Sequence, residues 1–286
     1  MAENLISELN KLLSNLFNEQ KALRQDLKLI AKDIQDLKAS AIRSRMFTES
    51  PFDVLTDYKV AIDSWDHIQP RGAANDNTRC PWFVSSIESV FVDRTINYLD
   101  LGCAGGGLVF DFLLQGHRAI GIEGSDYLKR TKGGHWLIIP DNLFTADITK
   151  PFEIRRRGAS TAKFEVITAM EVMEHIPEGA IPKLMTNVHK HLADDGVFCC
   201  SIATFPDFDP ETGAVWHVTL KEKSWWIKQF EVGGFRVDTT GIINPRHFPR
   251  GTGNLLAGYG ADNDFIKDPN LGFHLVLRKN NAVLSC

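Results

Sequence analysis

The chain has 286 residues, with 32 Lys plus Arg against 36 Asp plus Glu, a formal charge of −4 and 43% hydrophobic residues. That balance excludes a wholly disordered or collagen-like chain, and no global basic field argues for nucleic acid. No apolar run reaches the ~18 residues of a bilayer span, and no basic-then-apolar start reads as a secretory leader, so the expectation is a cytoplasmic protein without a membrane span.

Residues 1–45 contain no Gly, Pro or Trp. Leu9, Leu16, Leu23, Ile30 and Leu37 recur every seven residues, with Ile6, Leu13, Gln20, Leu27 and Ile34 between them. This is the a/d spacing of a coiled coil, with polar Gln20 in the seam. A lone helix of this kind leaves an apolar stripe in water, so the segment is expected to pair copies of the chain; folding back on its own domain is the other way to cover it. Residues 46–94 read as a linker and N-terminal helical cap. The polar run 71–79 is a loop, and Pro81 opens a helix whose apolar face holds Trp82, Phe83, Ile87, Val90 and Phe91.

From residue 95 to 286, strand and helix signals alternate. Strands are expected at 96–101, 118–122, 143–146, 164–169, 197–203, 235–240 and 273–278, and helices at 107–115, 182–192 and 224–232. The pattern predicts an α/β domain: a Rossmann-like, seven-stranded, mostly parallel sheet with helices on both faces. Ligands in such sheets sit beyond the carboxyl ends of the strands.

The first strand runs into Asp100-Leu101-Gly102-Cys103-Ala104-Gly105-Gly106-Gly107. Glycines here let the backbone turn sharply and approach a ligand. The spacing is not the G-x-G-x-x-G of nicotinamide dinucleotide folds, which sets a NAD-linked oxidoreductase aside. Glu123 ends the second strand about 20 residues beyond the loop, where an acid can accept both ribose hydroxyls, with Asp126 a close competitor. Asp147 follows the third strand. The fourth leads into Glu171-Val172-Met173-Glu174-His175-Ile176. The five cysteines, Cys80, Cys103, Cys199, Cys200 and Cys286, include no CxxC pair and are odd in number, which argues against a zinc knuckle or a full disulfide framework.

The D-x-G-x-x-x-G loop resembles motif I of class I S-adenosylmethionine-dependent methyltransferases, with Ala104 where that family usually has its middle glycine. The Glu171–Ile176 string is similar to the E-V-x-E-H-I stretch of many small-molecule methyltransferases. The stretch before the 197–203 strand resembles the family's L-x-x-G-G turn. Together the likeness covers about residues 95–280. It implies S-adenosylmethionine as cofactor, held by Asp100, Gly102, Gly105, Gly106, Glu123 (ribose), Asp147 (adenine) and Glu171, which faces the reacting centre. In ubiquinone-pathway and small-RNA 2′-O-methyltransferases an E-x-x-E-H cluster binds a divalent metal with a further histidine. The resemblance therefore offers Glu171, Glu174, His175 and His217 as ligands of Mg²⁺ or Mn²⁺. The other reading leaves Glu171 lining the cofactor pocket, Glu174 and His175 capping a helix, and His217 acting as general base or binding a substrate hydroxyl.

Residues 241–270 form a long link whose Arg246, His247 and Arg250 are expected to meet a phosphate or carboxylate on the acceptor. Trp216 is a candidate platform for a substrate ring. The expected activity is methyl transfer to oxygen, since no N/D-P-P-Y signature of N-methyltransferases is present. The expected acceptor is small and polar, a sugar or glycan intermediate. RNA 2′-hydroxyl methylation is the alternative within enzymes, and a non-catalytic coiled-coil scaffold, to which Ala104 points, the alternative outside them.

Overall fold

The computed structural model describes residues 50–157, 161–251 and 264–280, together with ten positions between 11 and 30. The chain divides into two compact units, Met1–Phe47 and Thr48–Cys286. In the first, the ten described residues are helical, and Leu13, Leu16, Leu23, Leu27 and Ile30 are exposed. Gln20 of the seam is exposed as well, and the remaining heptad positions, Ile6, Leu9, Ile34 and Leu37, lie outside the described residues.

The second unit contains strands β1 (Phe52–Leu55), β2 (Asn97–Leu101), β3 (Arg118–Glu123), β4 (Leu143–Thr145), β5 (Glu153–Arg156), β6 (Phe164–Met170), β7 (Leu192–Ala203), β8 (Phe235–Val237) and β9 (Gly272–Lys279). Its helices are α1 (Trp65–Ile68), α2 (Gly72–Asn75), α3 (Pro81–Val90), α4 (Gly107–Leu114), α5 (Tyr127–Thr131), α6 (Ile181–His191) and α7 (Lys223–Val232). Seven strands form one sheet in the order β4-β3-β2-β6-β7-β9-β8. The pairs from β4 to β7 are parallel, and β9 runs antiparallel to both its neighbours.

Alternation along β2 shows why helices cover both faces. Tyr98 points to one side and stacks on Phe112 of α4, with ring centroids 3.8 Å apart. Leu99 and Leu101 point to the other and join a core with Leu184, Met185 and Val188 of α6 and with Trp226 and Phe230 of α7.

All seven predicted runs are strands of this sheet, five of them within one residue of the expected bounds and two further off. β7 begins early, at Leu192, because residues 193–196 bulge out between two positions that both pair with β6. β8 ends early, at Val237, because Asp238 Oδ1 accepts the Thr240 N–H and turns the chain away. The β1–β5 antiparallel pair was not read from the sequence; it ties the segment after residue 50 to the turn beyond β4.

β2 lies between β3 and β6. Chain connections leave it in opposite directions, which opens a crevice above its carboxyl end.

Candidate functional site

A cleft of about 730 Å³ opens at that crevice. Its walls come from the ends of β2, β3, β4 and β6, from α1 and α2, and from the stretches after β7 and β8. Of five non-glycine residues with positive φ among those described, three line it: Ala104 (41°), Glu171 (56°) and Arg250 (64°). Backbone strain is concentrated where a ligand would sit.

The turn after β2 forms the cleft floor. Gly102 has φ 72°, and a Cβ there would strike Val172, so the residue must be glycine. Ala104 takes the left-handed path that glycine adopts freely, at roughly 1 kcal/mol for its Cβ. Its N–H donates to Glu123 Oε2 at 2.8 Å, and its carbonyl accepts from Trp136 Nε1 at 2.8 Å. Gly105 and Gly106, expected to touch cofactor, do not line the cleft. Gly105 lies under Asp76 and Asn77, donating its N–H to the Asp76 carbonyl at 2.9 Å. Gly106 is the N-cap of α4, with φ 81° and packed on Leu143. These two glycines serve close backbone packing. Asp100 lies beneath the turn, lining a small inner pocket, and accepts from Thr168 Oγ1 at 2.6 Å. Burial pushes its pKa up to about 7.

Glu123 lines the cleft and is 5% exposed; burial raises its pKa to about 7, against two backbone N–H donors, those of Ala104 and Ser125. Its competitor Asp126 instead pairs with Arg130 at 2.9 Å. Asp147 also lines the cleft, while its Oδ1 accepts from the N–H and hydroxyl of Thr149. It is both turn-former and wall.

The residues after β6 divide. Glu171 faces Arg250, whose Nε lies 3.4 Å from Oε2. Burial raises its pKa, with Arg250 opposing. Glu174, His175 and His217 instead converge, each offering one ligand atom within 4.8 Å of the others. Of the four residues that the resemblance offers as ligands, these three come together, with Glu171 apart. Glu174 is fully buried; its Oε1 accepts the Ala203 N–H at 2.9 Å and its Oε2 has no partner. Burial, reinforced by nearby Glu171, raises its pKa. His217 Nδ1 lies 2.6 Å from the Phe205 carbonyl, so Nδ1 carries the proton and Nε2 the lone pair. Burial and the neighbouring His175 hold its pKa down to about 4. His175 Nδ1 is 2.9 Å from Asp66 Oδ2. Burial opposes charge on His175, but Asp66, Glu174 and Glu171 outweigh it and raise its pKa to about 9. An orphaned carboxylate oxygen beside two imidazoles, each steered from its far nitrogen by a carboxylate or carbonyl, is a donor set that could hold a divalent metal ion.

Asp66 was not singled out from the sequence. No local spacing marks it; it reaches His175 across 109 residues. Arg71, also on the cleft wall, pairs with Asp207, and its guanidinium carbon lies 4.2 Å from the Trp216 ring centre. Trp216 is 3% exposed and so is not an open stacking platform. Of the three basic residues expected at the acceptor, Arg250 reaches the cleft, whereas Arg246 and His247 do not line it and His247 Nδ1 lies 2.6 Å from Ser86 Oγ.

A family model described as a methyltransferase domain matches residues 30–235. No curated protein matches the chain. Among solved structures, a TehB-like S-adenosylmethionine-dependent methyltransferase from Corynebacterium glutamicum is 17% identical over 69% of this chain and 87% of its own, with a TM-score of 0.44. The glycopeptide N-methyltransferase MtfA, complexed with sinefungin, is 13% identical over 72% of this chain and 96% of its own, at 0.46. An S-adenosylmethionine-dependent methyltransferase from Clostridium acetobutylicum is 14% identical over 70% and 92%, at 0.42. Likenesses this distant say nothing of the acceptor.

Proposed function

This chain belongs to the methyltransferase-domain family, in the class I S-adenosylmethionine-dependent architecture, and on that premise we propose that it methylates an oxygen of a small polar acceptor, of the sugar or glycan-intermediate class. The observation that carries the oxygen assignment is the convergence of Glu174, His175 and His217 beside the cleft that holds Glu123 and Asp147.

Bound S-adenosylmethionine brings an already activated methyl group. What remains for the chain is alignment of the acceptor, which can lower a barrier by several kcal/mol. Asp147 would face the adenine, Glu123 the ribose, and the Gly102–Ala104 turn the amino-acid end. Glu174 Oε2, His175 Nε2 and His217 Nε2 would hold Mg²⁺ or Mn²⁺, which lowers the pKa of an acceptor hydroxyl and positions its oxygen. Asp66 and the Phe205 carbonyl orient the two rings for that task. Arg71, Asp207 and Asp66 set charged groups among the apolar side chains Phe205, Val215 and Val218 in this half of the cleft, which offers an acceptor's hydroxyls polar partners beside an apolar wall. Since Ala104 follows the backbone path of the glycine it replaces, it leaves the floor open, which favours the enzyme over a non-catalytic scaffold. In a metal-free reading, favoured by the tautomer that the Phe205 carbonyl fixes, His217 takes the acceptor proton at Nε2.

The heptad segment 1–45 would assemble copies of the chain, in keeping with the exposure of Leu13, Leu16, Leu23, Leu27 and Ile30. Light scattering on a chain lacking residues 1–45 checks it: a drop in assembly mass is expected, and an unchanged mass rejects it.

The test of function is S-adenosylhomocysteine release over a panel of hydroxyl acceptors, with metal-stripped protein. Activity restored by Mg²⁺ or Mn²⁺ is expected. Activity indifferent to chelator rejects the ion and leaves His217 as base.

A further inference from the structure

Arg250 is unusually constrained for a residue beyond the last helix. Its carbonyl accepts the Phe265 N–H at 2.8 Å, the Pro249 carbonyl accepts from His274 Nε2 at 2.9 Å, and Phe248 is buried against Phe83. This clamp holds Arg250 at φ 64° with its side chain only 12% exposed. Within that buried side chain Nη1 has no hydrogen-bond partner, and neither does Glu171 Oε1. Both residues wall the small pocket that continues the cleft past Gly102 and Ala104, where Asp76 forms another side. A buried guanidinium nitrogen without an acceptor costs about 1–3 kcal/mol or more, so its persistence points to a ligand that supplies one.

The two other Lys or Arg side chains of the cleft are engaged elsewhere: Arg71 pairs with Asp207, and the Lys150 ammonium lies 5.9 Å from the Tyr58 ring centre. One cation, Arg250, sharing a narrow pocket with the acids Asp76, Asp100 and Glu171 is complementary to a zwitterion, a carboxylate at the guanidinium and an ammonium at the acids.

Resting on the cofactor reading above, we propose that Arg250 anchors the carboxylate of the cofactor's amino-acid end, with Asp76 facing its ammonium. The Phe248–Arg250 stretch then belongs to the cofactor site rather than to the acceptor site.

The test is calorimetric titration with S-adenosylhomocysteine and with 5′-methylthioadenosine, which keeps the adenosine and thioether but lacks the amino-acid end. Arg250→Met is expected to weaken S-adenosylhomocysteine binding at least tenfold and leave 5′-methylthioadenosine binding unchanged, while Arg250→Lys falls between. Unchanged 5′-methylthioadenosine binding also shows that the variant is folded. Equal weakening of both ligands, or of neither, overturns the assignment. Wild-type protein that binds neither ligand overturns the cofactor reading itself.

Discussion

The two ends of the cleft are built differently. The end formed by Gly102, Ala104, Glu123 and Asp147 comes from consecutive strand–turn units, and its polar side chains are engaged by backbone N–H groups a few residues to about 20 residues away. The end formed by Asp66, Glu174, His175 and His217 is drawn from α1, the turn after β6 and the stretch after β7, and its polar groups meet each other. A site made by one strand–turn unit repeats a spacing. A site made by distant segments need not.

That difference governs what could be read from residues alone. The parallel sheet was legible because buried strands appear as apolar runs punctuated by Gly and Asp. Gly102, Glu123 and Asp147 were legible as cleft residues because they stand at the ends of such runs, and Asp100 because it leads into the glycine turn. Glu174, His175 and His217 were legible as residue types, but their grouping without Glu171 was not, since Glu171 turns away at φ 56° toward Arg250. At Gly105 and Gly106 a physical reason for glycine other than a ligand is visible: glycine marks close approach, and Asp76, Asn77 and Leu143 approach these two positions. Asp66, Asp76 and the place of Arg250 had no local signal at all.

The contrast can be broken at either end. His217→Ala should have the largest effect, lowering turnover by a factor on the order of a hundred or more with S-adenosylhomocysteine affinity intact. Steady-state rates beside calorimetry check it, and a matching loss of cofactor affinity would erase the division between the ends. Asp66→Asn comes next. It keeps the shape beside His175 but removes the charge, and Mn²⁺ affinity should fall roughly tenfold to a hundredfold. Electron paramagnetic resonance of free Mn²⁺ reads this directly; unchanged affinity would remove Asp66 as a positioning residue.

At the other end, Glu123→Ala should weaken S-adenosylhomocysteine binding about tenfold through lost hydrogen bonds to a carboxylate, with Mn²⁺ affinity unaltered. Calorimetry with each ligand decides it. The smallest effect is expected for Ala104→Gly. Relief of left-handed strain is offset by the greater freedom of glycine in the unfolded chain, so stability should move by less than about 1 kcal/mol. Thermal melting measures that shift, and a large loss would mean that the Ala104 methyl packs as part of the floor.

The most direct test of the central claim is a sequential titration of metal-stripped protein, S-adenosylhomocysteine first and Mn²⁺ second, repeated on Glu174→Gln. Saturable S-adenosylhomocysteine binding is expected in both proteins and saturable Mn²⁺ binding in the wild type alone. Folded wild-type protein that binds no S-adenosylhomocysteine, or a Glu174→Gln variant that binds Mn²⁺ as well as the wild type, would contradict it.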